Sequence, residues 1–360
     1  MNKTCIPSGS LVLVTGINGH IGSTLAVRLL DQGFRVRGTV RSIDKGEFMK
    51  DVLSSSSPYG DRSALAARFE LVQIPDFETA GAYNEAMEDV SGVLHVASPN
   101  TMDQNSPEIQ EGPAVKGTLA ILTAASVHPN VTRVTVIGTI GSMIMNGKHA
   151  GELTEETDWN CISEDAAKDP NNSGVGFHCY LNSKIKAEKA AWEYIRTQKP
   201  SFTFNVVLPS IALGPIFHQL PSPPRADVSL GNLWDYLGNR RPFAASSVNI
   251  LWVHSYDVAD CMIRSLISPD AVGKRFICTG GKTSWAEVCK IIQRHFPECP
   301  VPEIKENEHV PQFPGAEEIE FDLSATERIL DVRWRSLEEA VVDASRDLLY
   351  RSKINWGKAY

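Results

Sequence analysis

The chain has 360 residues, 42% of them hydrophobic and 22% charged, with 43 Asp and Glu against 35 Lys and Arg for a formal net charge of −8. That length can bury one large core plus a smaller lobe, and an acidic balance with no basic stripe argues against nucleic acid as a partner. No apolar run approaches the roughly 18 residues that cross a bilayer, and the opening MNKTCIPSGS lacks the apolar core of a secretory signal, so a cytoplasmic protein without membrane contact is expected.

Residues 11–15 read LVLVT, a short apolar strand, which breaks at Gly16 and resumes as a helical stretch near 21–32 closed by Gly33. Strand, glycine turn, helix is the context in which three glycines mean something. Gly16, Gly19 and Gly22 let the backbone turn tightly, approach a pyrophosphate and pack helix against strand, while the helix N-terminus offers free N–H groups and a positive dipole end. The spacing is G-x-x-G-x-x-G, and a dinucleotide is expected on Gly16, Asn18, Gly19, His20, Ile21 and Gly22.

A second strand over 35–40 ends at Arg41, with Lys45 close behind. An NAD enzyme places an acidic residue about 20 positions past the glycines for the ribose 2′-hydroxyl, whereas a cation there suits the 2′-phosphate of NADP. Arg41 therefore predicts NADPH, with Lys45 beside it. Arg37 is a second candidate, although strand alternation turns it toward another face.

Residues 54–61, SSSSPYGD, read as a surface loop. Further apolar strands near 69–74, 92–96, 132–137 and 203–208 alternate with helical stretches near 80–89, 107–127 and 178–198. That alternation predicts an α/β fold, a doubly wound (Rossmann) parallel sheet with helices on both faces. Beyond Gly214-Pro215 the chain turns proline-rich and aromatic. Residues 1–208 are expected as the nucleotide domain, with 250–280 returning to it, and 209–249 with 281–360 as a smaller C-terminal substrate lobe. Phe177, Phe217 and Trp234 could line its pocket or serve as ordinary core.

The run LNSKIKAEKAAWEY has helical composition without Gly or Pro, which puts Tyr180 and Lys184, four apart, on one face. A tyrosine of pKa about 10 is a poor acid-base catalyst at neutral pH, and a neighbouring cation favours its phenolate. Such a spacing is common on surface helices and acquires weight here from the glycine turn. Seven scattered cysteines without Cys-x-x-Cys pairs fit reduced thiols and no metal site. Cys179 and His178 read as packing or surface residues.

Together, the glycine turn and the Tyr-Lys pair resemble the extended short-chain dehydrogenase/reductases. The segments RGTVRS at 37–42, HVASP at 95–99, PAVKGT at 113–118, LTEETDWN at 153–160, SKIKAEKAAW at 183–192 and GP at 214–215 narrow the likeness. They point to the group of dihydroflavonol reductases, cinnamoyl-CoA reductases and yeast-type methylglyoxal or carbonyl reductases, from about residue 10 to about 350. The resemblance implies that Tyr180 is the general acid and that Lys184 lowers its pKa and bonds the nicotinamide ribose. It places Asp76 and Phe77 by the adenine, Ala97, Ser98 and Pro99 over the cofactor, and Pro209 and Ser210 beside the nicotinamide. Relatives carry Thr-Ser-Ser where this chain has Ile137-Gly138-Thr139, so the bond to the substrate carbonyl falls to Thr139, with Ser142 in reserve. The extra methyl of Thr139 narrows the pocket.

The expected activity is reduction of a small aldehyde or ketone to an alcohol by a monomer or homodimer that needs no metal. An NAD-dependent nucleotide-sugar epimerase or dehydratase is the alternative, against which Arg41 speaks. A non-catalytic NADPH-sensing regulator is another, and such proteins typically lose the Tyr-Lys pair. The sequence FHCYLNSK around the pair departs from the plant cinnamoyl-CoA reductase pattern, which speaks against a CoA thioester.

Overall fold

All five residues of Leu11–Thr15 (β1) are buried, as expected for a strand whose two faces are both covered by helices. The structure is a computed structural model that describes residues 5–54, 60–79, 81–98, 106–144, 151–153, 158–169, 171–172, 174–220, 222–223, 229–240, 245–246, 249–305 and 319–354. After β1 come His20–Asp31 (α1), Arg35–Val40 (β2), Asp44–Val52 (α2), Phe69–Gln73 (β3) and Val90–His95 (β4). Pro107–Ser126 (α3), Arg133–Ile137 (β5), Val175–Gln198 (α4) and Thr203–Pro209 (β6) complete the regular alternation. The remainder adds Ile211–Leu213 (β7), Leu230–Leu237 (α5), Asn249–His254 (β8), Ser255–Ile267 (α6), Arg275–Cys278 (β9), Gly281–Ser284 (β10), Trp285–His295 (α7), Ser324–Leu330 (α8) and Leu337–Ile354 (α9).

Seven strands form one sheet in the order β9-β6-β5-β4-β1-β2-β3, every pairing parallel. The chain winds outward from β1 through β2 and β3, then returns to start again at β4 on the other side of β1. That reversal leaves a crevice beyond the carboxyl ends of β1 and β4, where doubly wound folds bind ligands. One face is covered by α1, α2 and α6 around Leu25, Phe48 and Met262, the other by α3 and α4 around Ile121, Leu122 and Ala191.

Of the stretch 80–89 expected as helix, residues 81–89 instead form turns and a single 3-10 turn at Glu85–Met87, and residue 80 lies outside the described residues. Gly81 (φ 79°) and Asp89 (φ 62°) hold left-handed backbone that a right-handed helix cannot contain. Tyr83, Ala86 and Met87 are buried under the sheet, which is why their spacing imitates an amphipathic helix. Of the expected loop at 54–61, residues 55–59 lie outside the described residues.

A separate core gathers Trp234, Tyr236 and Trp285 with Val341, Ala344 and Leu348 of α9. Its small sheet has the order β10-β8-β7, with β8 antiparallel to β10 and parallel to β7. The segment from α8 to Trp334 packs on the large domain, with Leu330 buried in its core and Thr326 Oγ1 donating to Ile277 O at 2.8 Å. No helix among the described residues is long and apolar enough to cross a membrane.

Candidate active site

The crevice at the strand reversal consists of two compartments that meet at Gly16, Gly19, Val96 and Ser98. Gly16 turns the chain off β1 with φ 67°, and a Cβ there would press on the Ala97 backbone at 3.0 Å. At Gly22 a Cβ would collide with the Gly16 carbonyl, 2.8 Å from its carbon, so the close approach of α1 to the turn requires glycine. Gly19 differs, because a Cβ there meets only Gly16 O at an ordinary 3.5 Å. The protein does not need glycine at 19 for its own packing, yet Gly19 lines both compartments. No side chain caps the N-terminus of α1, so its first N–H groups point to the crevice. An open glycine cradle, an uncapped helix end and nearby cations fit a dinucleotide pyrophosphate and its 2′-phosphate.

The first compartment is bordered by Asn18, Arg41, Lys45, Phe77, Ala97 and Ser98. Arg41 and Lys45 are both exposed at the end of β2 and the start of α2. Arg37 faces away, donating to Glu70 Oε1 at 2.9 Å and to the carbonyls of Ala86 and Glu88. Asp76 does not stand with Phe77 in the lining. It is exposed and turned into its own loop, accepting from Thr79 Oγ1 at 2.7 Å and Glu78 N at 2.9 Å, and the Thr79 hydroxyl above all holds its carboxyl below the usual range. Pro99 lies outside the described residues.

The loop at 96–98 is tied to β1 through Thr15. Its hydroxyl oxygen accepts from Val96 N at 3.1 Å and Ala97 N at 3.0 Å and lies 2.9 Å from His95 Nδ1. With two N–H groups already on that oxygen, the Thr15 hydrogen goes to His95, which makes Nδ1 the acceptor of a neutral imidazole. Burial, with the nearby Lys184 charge, pushes the His95 pKa down to about 3.

The second compartment brings together His20, Ile21 and Gly22 of the helix start, Thr139 after β5, Tyr180 and Lys184 of α4, and Pro209 and Ser210 at the end of β6. Tyr180 is half-buried. Lys184 is 8% exposed and donates to Ile137 O at 2.9 Å, so its position is set by β5 as well as by its own helix. Burial pulls its pKa down to about 8, opposed by Glu188 one turn along. Thr139 Oγ1 accepts from Gly141 N at 3.2 Å, and its hydroxyl hydrogen has no acceptor among the described residues.

Ser142, held in reserve for the role of Thr139, belongs to a buried network beneath the site. It is fully buried, donates to Thr139 O at 2.8 Å and receives Arg275 Nη2 at 3.2 Å. Arg275 pairs with Glu188 at 2.7 Å, both side chains at most 5% exposed, and its guanidinium lies 3.9 Å from the Trp159 ring centroid. Removing one partner of such a pair costs about 3–5 kcal/mol. The network fixes the β5 turn against α4, and hence Thr139 against Lys184.

Cys179 is buried, its thiol pushed up by burial, and His178 Nδ1 bonds Ser163 Oγ at 3.1 Å, so both serve packing. Phe217 is buried and stacked on Tyr256, Trp234 lies in the lobe core, and Phe177 is half-buried beside His178. Sequence reasoning missed His218, Ser229 and Ala212 in the second compartment and Tyr83 in the first. These lie where no local periodicity marks a site; the one signal for His218 is that it follows Gly214-Pro215 within four residues. Among the described residues no cluster of His, Cys, Asp or Glu could hold a metal ion.

Residues 12–278 match the NAD dependent epimerase/dehydratase family, and the chain belongs to that family. Aldehyde reductase 2 of Sporidiobolus salmonicolor is 31% identical over 355 residues, 95% of this chain and 97% of that protein. Ketoreductase adrE of Penicillium roqueforti is 31% identical over 318 residues, 87% of this chain and 86% of that protein. Among solved structures, yeast methylglyoxal/isovaleraldehyde reductase Gre2, complexed with NADPH, has a TM-score of 0.78 at 22% identity, covering 95% of this chain and 99% of that one. Vestitone reductase from alfalfa has a TM-score of 0.73 at 22% identity over the same shares. The resemblance to extended short-chain reductases and the doubly wound fold are both borne out.

Proposed function

We propose that this chain reduces the carbonyl of a small aldehyde or ketone to the alcohol with NADPH, acting in the cytoplasm, and that Tyr180 is the proton donor. The observation that carries this reading is the gathering of Tyr180, Lys184 and Thr139 in the compartment that begins at the N-terminus of α1. Relatives named as aldehyde reductase and ketoreductase, similar over most of the chain, support carbonyl reduction as the reaction class.

The residues divide the work. Gly16 to Gly22 take the pyrophosphate on free N–H groups, and Arg41 with Lys45 takes the 2′-phosphate. Bound there, NADPH would supply the hydride that reaches the carbonyl carbon. Thr139 donates its unengaged hydroxyl hydrogen to the carbonyl oxygen, holding it as negative charge develops. Tyr180 delivers the proton to that same oxygen. Lys184 has three N–H donors and gives one to Ile137 O, so two stay on the cleft side for the phenol and the ribose. A pKa near 8 leaves it mostly cationic at pH 7, and that charge stabilises the phenolate left behind.

The cations beside the first compartment favour NADP over the NAD of a sugar epimerase, and the Tyr-Lys pair at the cleft favours catalysis over sensing. The testing experiment is NADPH oxidation, followed by absorbance, across methylglyoxal, aromatic aldehydes, aryl ketones, a dihydroflavonol and a cinnamoyl-CoA, with NADH in parallel. Turnover with NADPH preferred supports the proposal. Tight NADPH binding with silence across the panel favours the regulator.

A further inference from the structure

The segment after Gly214-Pro215 delivers a histidine to the second compartment. His218 is 9% exposed and lines the same cavity as Thr139 and Tyr180. Its ring makes no hydrogen bond among the described residues: Nδ1 is sealed from solvent without a partner, and Nε2 is the nitrogen left to meet a group in the cavity. Buried polar atoms are nearly always satisfied, so an imidazole left unpaired beside a reacting centre calls for a ligand group. Burial, together with the neighbouring His20 and the Arg351 charge, keeps it neutral, with one ring nitrogen donating and the other accepting.

The placement of this ring is enforced from both sides. Two residues earlier, the Ile216 backbone is clamped to α9: its N–H donates to Asp347 Oδ2 at 2.6 Å and its carbonyl accepts from Arg351 Nη2 at 2.7 Å. Asp347 and Arg351 sit one turn apart and are buried to 6% and 0% exposure. Phe217 between them is fully buried and stacks on Tyr256 with ring centroids 6.1 Å apart. On the cleft side the His218 ring lies against His20, centroids 5.5 Å apart. An unpaired polar group held this firmly is pre-organised for recognition rather than free to seek a protein partner.

We propose that His218 is a substrate-specificity residue: its imidazole hydrogen-bonds a second oxygen of the substrate, so the site selects carbonyl compounds that carry an ester, hydroxyl or further carbonyl near the reacting group. This rests on the reductase reading of the same cleft. A site built to bond a second polar group discriminates against the analogue lacking it, because its own buried polar atom is then left unpaired.

The test compares kcat/KM for ethyl acetoacetate and for 2-heptanone, a monofunctional ketone of similar length, in the intact enzyme and in His218→Phe and His218→Gln. Phe keeps the ring volume without nitrogens, and Gln returns a donor and an acceptor. The ratio of keto ester to ketone is expected to fall on the order of 10-fold in His218→Phe and to recover at least in part in His218→Gln, with NADPH affinity preserved in both. A ratio that stays constant in both variants removes His218 from specificity, and a ratio that falls equally in both refutes the hydrogen bond to a second substrate oxygen. An intact enzyme that turns over 2-heptanone better than ethyl acetoacetate overturns this assignment alone, and one that turns over neither compound nor any member of the panel above overturns the reductase reading and this assignment with it.

Discussion

Gly19 and Gly22 are three residues apart in one turn, and the structure gives them opposite reasons to be glycine. At Gly22 a Cβ has no room beside the Gly16 carbonyl and would sit 3.0 Å from Ile17 Cα, so Gly22→Ala has to displace backbone. The expected cost is several kcal/mol of stability, in the range of backbone strain combined with overpacking. At Gly19 the backbone is extended, φ −98° and ψ 171°, which alanine adopts freely, and the nearest atom to an added Cβ is 3.5 Å away. Gly19→Ala changes only an N-cap preference, a loss of about 1 kcal/mol or less. The methyl would, however, enter the space where the pyrophosphate is proposed to lie, and a lost or lengthened set of N–H bonds there raises the NADPH Kd by roughly 10-fold or more, about 1.4 kcal/mol. Thermal melting without cofactor reads the first quantity and quenching of protein fluorescence by NADPH reads the second. A Gly19→Ala protein that melts near the parent temperature and binds NADPH undiminished would refute the placement of the cofactor over this turn.

Tyr180→Phe should bind NADPH almost as before and lose at least about 100-fold in turnover, the lower range for a positioned proton donor; near-normal turnover removes the phenol from the mechanism. Arg41→Ala should weaken NADPH by roughly 5- to 30-fold, less than a buried charge pair would give because Arg41 is exposed, while changing NADH by under about twofold. Equal losses for the two dinucleotides in direct titration would sink the 2′-phosphate assignment. Acid stability tests His95. Its folded pKa of about 3 lies below the ordinary 6.5, so between those values the unfolded chain binds a proton that the fold does not, and stability falls as pH drops through that window. At pH 4.5 the loss from this residue is about 2–3 kcal/mol. In His95→Gln, whose amide oxygen can accept from Thr15, the unfolding free energies extrapolated from urea titrations at pH 7 and 4.5 should converge by that amount; parallel acid sensitivity would contradict it.

The parallel sheet was legible in the chain because strands covered on both faces need no polar side, and a run such as LVLV at 11–14 is apolar without interruption. The glycine turn, Arg41 beyond the second strand and the Tyr180-Lys184 pair were legible for a related reason: each is a spacing within one turn, strand or helix, and helical period or strand reach converts spacing into position. What the sequence by itself determined is therefore the fold and the chemical inventory of the crevice. The tertiary structure decided who enters it. Residues 80–89 carry helical spacing but turn at Gly81 and Asp89. Asp76 and Phe77 are adjacent, yet Phe77 takes the lining and Asp76 its own loop. Thr139 and Ser142 are both hydroxyls after β5, and the buried pair of Arg275 with Glu188, 87 positions apart, takes Ser142 and leaves Thr139 at the cleft. His218 reaches the site because Asp347 and Arg351, more than 120 positions on, grip the backbone before it. Contacts between distant segments depend on where the crossovers bring them, and no local period in the chain encodes that.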